Sequence, residues 1–163
     1  MYTIEQIEDA IIAALAPLKV GYAAEEGDPA IYGTIRTIKS YQSELDTEEE
    51  LARAVRLFPA LLVMYGGSVY GEHGGRKIET MAYIIFACDR NLRAEAEARR
   101  GGSGNPGTYA MLNGVRDLLA GKQLGLNIYP LKPIREAAEF KVGAVSIYSA
   151  EYETAQALLY PGA

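Results

Sequence analysis

The stretch Lys77-Ile-Glu-Thr-Met-Ala-Tyr-Ile-Ile-Phe-Ala-Cys-Asp89 decides the fold. Ile78, Thr80, Ala82, Ile84, Phe86 and Cys88 alternate with Met81, Tyr83, Ile85 and Ala87. That period of two is the pattern of a strand, whose successive side chains leave on opposite sides. Both sets are largely apolar, so the strand is expected to be covered on both faces. Just upstream, Pro59-Ala-Leu-Leu-Val-Met-Tyr65 predicts a short apolar partner strand, giving a hairpin or meander. The connection, Gly66 to Gly75, holds five glycines in ten residues and reads as a flexible arm or tip.

Helices are punctuated on either side of this pair. Thr3 and Gln6 form a capping box, the hydroxyl and the amide each meeting a free backbone N–H of the first turn. Ile4, Ile7, Ile11, Ala14 and Leu18 then recur at helical spacing, and Pro17 and Gly21 end the segment. Residues 22–30 read as a loop, and the β-branched run from Ile31 to Tyr41 as a strand. Thr47 and Glu50 announce a second helix with Leu51, Ala54, Val55 and Phe58 inward. Pro59 stops it, because the residue before proline is pushed out of the α region.

Beyond the central pair, Arg90 to Arg100 is highly charged and Gly101 to Gly107 is glycine-rich, a segment read as a flexible linker. Asn105 with Pro106 reads as the N-cap and first position of a third helix, with Met111, Leu112, Val115, Leu118 and Leu119 inward and Gly121 closing it. Two strands complete the chain, Leu126 to Pro133 and Val142 to Thr154. The expected class is α+β: a mostly antiparallel β-sheet packed with about three α-helices, in one domain over 1–163.

Composition narrows the function. The 163 residues are 49% apolar and 23% charged, the balance of a globular domain. No run approaches the roughly 18 apolar residues of a membrane span, and Met1 to Gln6 has no basic or apolar signal pattern, so no membrane partner is expected. A net charge of −5 disfavours nucleic acid, whose recognition draws on cationic surface. The one cysteine, Cys88, leaves no internal disulfide and suits a reducing compartment. Twelve tyrosines against three phenylalanines fit half-buried strands or protein interfaces.

Catalytic chemistry finds little support. His73 and Cys88 are fifteen positions apart without any metal-ligand spacing, so no metal site is expected; the histidine reads as an exposed loop residue, the thiol as a small core hydrophobe. A glycine-rich loop holds a general base poorly. Glu151 and Glu153 would share a strand face, yet such pairs arise freely among 21 acidic residues. Gly101 to Gly107 precedes a helix but lacks the lysine of a phosphate loop, and no cofactor motif occurs.

The chain resembles a Mu-type phage and prophage tail-terminator family. The likeness is carried by Ile4-Glu-Gln-Ile-Glu-Asp-Ala-Ile11, Phe58-Pro-Ala-Leu-Leu-Val63, Arg90-Asn-Leu-Arg93, the run from Gly107 to Leu119, and Ser146-Ile-Tyr-Ser-Ala-Glu-Tyr-Glu-Thr154. The resemblance implies a tail-terminator-like sandwich and a non-enzymatic structural subunit. It would form a homo-hexameric ring capping the tail tube, end tail polymerisation, and present the surface to which the head joins. The implied partners are other copies of itself, the tail tube protein and a head-completion or connector protein. The implied location is the host cytoplasm during assembly, then the head–tail junction of the virion. A head-completion or connector subunit is the alternative, a small enzyme the more distant one.

One patch is singled out as an assembly contact between subunits or with the tube. Arg90, Arg93, Arg99 and Arg100 place a quarter of the 16 basic residues in eleven positions, interrupted by Glu95 and Glu97. Arginine is favoured at interfaces because its planar fork pairs carboxylates bidentately. Glu48, Glu49 and Glu50 on the second helix are the acidic counterparts a neighbour could offer. The adjoining glycines are expected to leave the arginine segment mobile until a partner orders it.

Overall fold

A computed structural model describes residues 1–21, 33–91, 95–102, 104–142 and 144–159. The elements are α1 (Ile4–Leu15), β1 (Thr37–Ser40), α2 (Glu48–Ala54), β2 (Ala60–His73), β3 (Arg76–Arg90), α3 (Glu95–Arg100), α4 (Thr108–Leu119), β4 (Lys132–Val142) and β5 (Val145–Ala157), with short 3-10 turns after α1 and α2. The strands form one sheet in the order β1-β2-β3-β5-β4, antiparallel throughout except that β1 runs parallel to β2. The class is α+β, with four α-helices where about three were expected.

The two threonine cap signals are satisfied locally. Thr3 accepts the Gln6 N–H at 3.1 Å, and Gln6 Oε1 accepts the Thr3 N–H at 2.9 Å. Ile7, Ile11 and Leu15 of α1 are buried. Thr47 accepts the Glu50 N–H at 3.1 Å to start α2. The first strand is much shorter than Ile31 to Tyr41: β1 covers four residues, preceded by a single bridge between Lys19 and Ile35. Residues 31 and 32, and the loop assigned to 22–30, lie outside the described residues.

Two readings are corrected along the sheet. The glycine-rich connection is strand, not a flexible arm. β2 runs fourteen residues to His73 and pairs residue by residue with β3, with one bulge between Tyr65 and Gly67 and a turn at Gly74 and Gly75. Side chains stiffen it: Tyr65 Oη lies 2.6 Å from Ser68 Oγ, which donates to Glu79 at 2.8 Å, and Gln156 Nε2 donates to the same carboxylate at 3.1 Å. Gln156 in turn accepts the Tyr2 N–H at 2.8 Å, tying the hairpin to the N-terminal segment. The fourth strand begins at Lys132, where the strand predicted from Leu126 to Pro133 was to end. Its sequence, Lys132-Pro-Ile-Arg-Glu-Ala-Ala-Glu-Phe-Lys-Val142, has weak β propensity. Pairing with β5 imposes the strand, with two bulges on the way.

Strand β3 is covered unequally. On one face Met81, Tyr83, Ile85 and Ala87 are fully buried under α1 and α4, in a core with Ile7, Ile11, Met111, Val115 and Leu119. On the other, α2 and its flanks cover only one end, packing Ala54 and Phe58 on Leu62, Cys88 and Ile147. Ile78, Thr80, Ala82 and Ile84 continue that face only partly buried. The expectation of cover on both sides therefore holds for one end of the sheet, and half of the second face is open.

Candidate assembly interface

From Glu95 onward the charged segment after β3 is folded, which corrects the reading of that part as mobile. Glu95–Arg100 forms α3, and Ala98 is fully buried beneath it. A buried polar knot holds α3 and the glycine-rich crossing behind it against the end of β3. Asp89 is wholly inaccessible; its Oδ2 accepts the Gly107 N–H at 2.7 Å and Asn105 Nδ2 at 2.9 Å, and its Oδ1 accepts the Arg90 N–H at 2.8 Å. Asn91 Nδ2 donates to Asn105 Oδ1 at 2.7 Å and to Glu97 at 2.9 Å, and Asn105 Nδ2 also donates to the Glu97 carbonyl at 2.8 Å. The Asp89 carboxyl is raised above the ordinary aspartate range, since burial outweighs the amide donors around it.

This knot also corrects the third helix start. Asn105 is not its cap, because its amide is spent on Asp89 and Glu97; Gly107 stands at the N-cap of α4. Gly107 has φ +83°, and a Cβ there would lie 2.2 Å from the Gly101 nitrogen, so glycine is required. The stretch read as a linker, Gly101 to Gly107, is a tight crossing of two chain segments (Ser103 lies outside the described residues). Thr108 then hydrogen-bonds Ser146 at 3.0 Å, fastening α4 to β5. Gly121, with φ +75°, comes directly after the Ala120 cap of that helix.

The proposed interface residues fall in two groups on opposite sides of the sheet. Arg90 ends β3 opposite Val145 of β5 and follows Cys88 in the alternation onto the α2 face, where Val145 also packs. Arg99 and Arg100 occupy the last turn of α3, on the side of α4, and Arg99 lies close enough to Tyr148 to act on its hydroxyl electrostatically. Arg93 lies outside the described residues. Glu48, Glu49 and Glu50 form the first turn of α2, on the other face. Glu50 is 3.4 Å from Arg53 of its own helix. Within one chain the sheet stands between the α3 arginines, Arg99 and Arg100, and the acidic turn.

Beside α2 is a hollow of about 340 Å³ lined by Tyr41, Leu45, Asp46, Thr47, Glu48, Leu51, Phe86, Glu139 and Ile147. Its floor is apolar, with the Tyr41 and Phe86 rings 5.2 Å apart. Its rim is acidic, and no basic residue is among these lining side chains. Tyr41 donates to Asp46 at 2.6 Å and accepts the Leu45 N–H at 3.1 Å; burial, then the Asp46 bond, pushes its hydroxyl up to about 12. Glu139 accepts from Ser149 at 2.6 Å. Sequence reasoning missed this hollow, because it joins residues around 41–51, 86, 139 and 147, which only the fold brings together.

The residues weighed for chemistry are dispersed. His73 is exposed at the hairpin turn opposite Arg76, whereas Cys88 is buried at the far end of the sheet opposite Ala60, its thiol pushed up by burial. Glu151 and Glu153 face Arg135 and Lys132 across the β4–β5 ladder, an arrangement of compensated charges. Among the described residues no three His, Cys, Asp or Glu side chains group closely enough to hold a metal ion, and no helix is long and apolar enough to cross a membrane.

A family model described as Bacteriophage Mu, Gp37 matches residues 3–157, and the chain belongs to that family. The family is one of structural, tail-related phage proteins. No curated protein matches the chain.

Proposed function

We propose that this member of the Mu Gp37 family is a tail terminator: a subunit of a sixfold ring that caps the tail tube, ends its polymerisation and presents the surface to which the head joins. The observation that carries the reading is the open half of the sheet. Met64, Ile78, Ala82 and Ile84 line it partly exposed, and no described element covers them. Apolar side chains left partly exposed in this way, with Glu151 and Glu153 of β5 beside them, suit an interface, because leaving them in water costs free energy that a partner recovers.

Two charged patches lie on the two faces of the sheet. Arg99 and Arg100 on the α4 side, and Glu48, Glu49 and Glu50 with Arg90 on the α2 side, are contacts for a neighbouring subunit or for the tube. Partners on this reading are further copies of the chain, the tail tube protein and a head-completion or connector protein. Assembly takes place in the host cytoplasm and the product sits at the head–tail junction.

Electron microscopy of tails made with and without the protein tests this. The expected result is a ring at the end of tails of uniform length, and overlong, headless tubes when the protein is missing. Tails of normal length without it, or a ring found only on the capsid, would discard the terminator role.

A further inference from the structure

Resting on the ring reading, we propose that the apolar hollow beside α2 receives the tip of the β2–β3 hairpin of a second copy of this chain. Hollow and tip lie at opposite ends of the same sheet. The hollow adjoins Phe86 and Ile147, level with the buried end, while β2 and β3 run on past the last β5 partner, Ala157 opposite Ile78, to the turn at Gly74 and Gly75. An interface that joins one end of a subunit to the other end of the next is heterologous and propagates until it closes.

The tip has the shape and chemistry of an occupant. Val69 is 74% exposed and Tyr70 64% exposed, the two large apolar side chains that the hairpin turns to solvent. Val69 lies opposite Thr80, so it projects from the same face that carries the hollow. Glu72 and Lys77 oppose one another across the ladder, and Arg76, opposite His73, adds a cation next to the turn. The rim of the hollow carries Asp46, Glu48 and Glu139. An apolar knob with a cation behind it thus meets an apolar floor with an acidic rim, a complementarity that also fixes orientation.

The path between them is continuous. From Phe86 the open face runs through Ile84, Met64 and Ala82, so a hairpin laid along it would cover the partly exposed apolar residues as well. Stiffness favours docking too, since Ser68, Glu79 and Gln156 lock the hairpin before any partner arrives and little ordering entropy remains to be lost. With the acidic turn of α2 given to the neighbour's tip, the α3 arginines are left to face the tube.

The experiment is cross-linking. Val69→Cys and Glu48→Cys are both at exposed positions, and native Cys88 is buried, so oxidation of the double variant reports contact between copies alone. The expected product, on tail ends and in concentrated protein, is a ladder of covalent dimers, trimers and higher species. Either single variant should give none. Dimers from Val69→Cys alone would mean tip-to-tip pairing and overturn the proposal, as would the absence of a ladder in both preparations. A charge exchange keeps the test independent of the cysteines: Arg76→Glu should abolish association, and adding Glu48→Arg should restore it; no restoration counts against the contact. Rings imaged at tail ends without a ladder would discard this interface and leave the terminator reading standing. A ladder without rings on tails would do the reverse.

Discussion

Ile84 and Ile85 are neighbours on β3 with the same side chain and opposite surroundings. Ile85 is fully buried in the core made by α1, α4 and the sheet, while Ile84 is only partly buried on the face that α2 leaves half open. The strand pleat sends one inward and the other outward. The closed face is finished by the chain's own helices and carries folding stability. The open face holds residues just as apolar, and on the proposed assembly a neighbouring chain would finish it. On that proposal, the division of labour between folding and assembly runs through the plane of one sheet.

The sharpest way to break that division is truncation. Ile85→Ala should cost about 2–5 kcal/mol of stability, because the cavity forms in a packed core. Ile84→Ala should cost less than half of that in folding, measured by denaturant unfolding, while weakening ring formation on tail tubes. Equal losses at both positions would mean that the open face is as much a part of the folding core as the closed one.

A second test addresses the rim of the closed face. Asp89→Ala leaves the Gly107 N–H and the Asn105 amide without their buried acceptor, an expected loss of about 1–3 kcal/mol. The pH dependence has a defined sign. Because the folded carboxyl is raised above its unfolded range, the stability linked to its proton is full below the ordinary aspartate range and is lost as pH rises through the raised value. Thermal melts across that interval should show the decline in the native protein and lack it in Asp89→Asn. A flat profile in the native protein would remove Asp89 as a titrating part of the knot.

The smallest expected effect is a gain. Tyr152 is buried on the closed face, and its hydroxyl has no hydrogen-bond partner among the described residues. Burial pushes that hydroxyl up to about 12. Tyr152→Phe removes the desolvated oxygen and keeps the ring, so the melting point should stay level or rise, with a gain of up to about 1 kcal/mol. A clear loss in calorimetry would show that the hydroxyl is satisfied in solution.

How much of this was legible depended on how local the signal is. The Thr3–Gln6 and Thr47–Glu50 starts depend on groups three residues apart, and both were readable from the chain alone. The extent of β2 was not. Glycines that read as a flexible arm are held extended by β3, a strand whose own alternation was plain. β4 was hidden for the complementary reason, since its charged, alanine-containing sequence becomes strand only where β5 supplies the ladder. The assembly patches divide similarly. The arginine and glutamate clusters were visible as runs, but the separation of Arg99 and Arg100 from the glutamates by the sheet, and the hollow between α2 and the sheet, required the fold.

By itself the sequence determined the α+β class, the long central strand and the capped helices, because alternation, helical spacing and capping act over a few residues of chain. Only the tertiary structure decided which apolar face of β3 is closed and which is left open, how Asp89 knots the segment after it, and where the acidic hollow lies. Those features come from contacts between residues distant along the chain, such as Asp89 with Gly107 or Phe86 with Ile147. Burial is a property of the assembled neighbours, and a side chain's own chemistry does not state which neighbours will arrive.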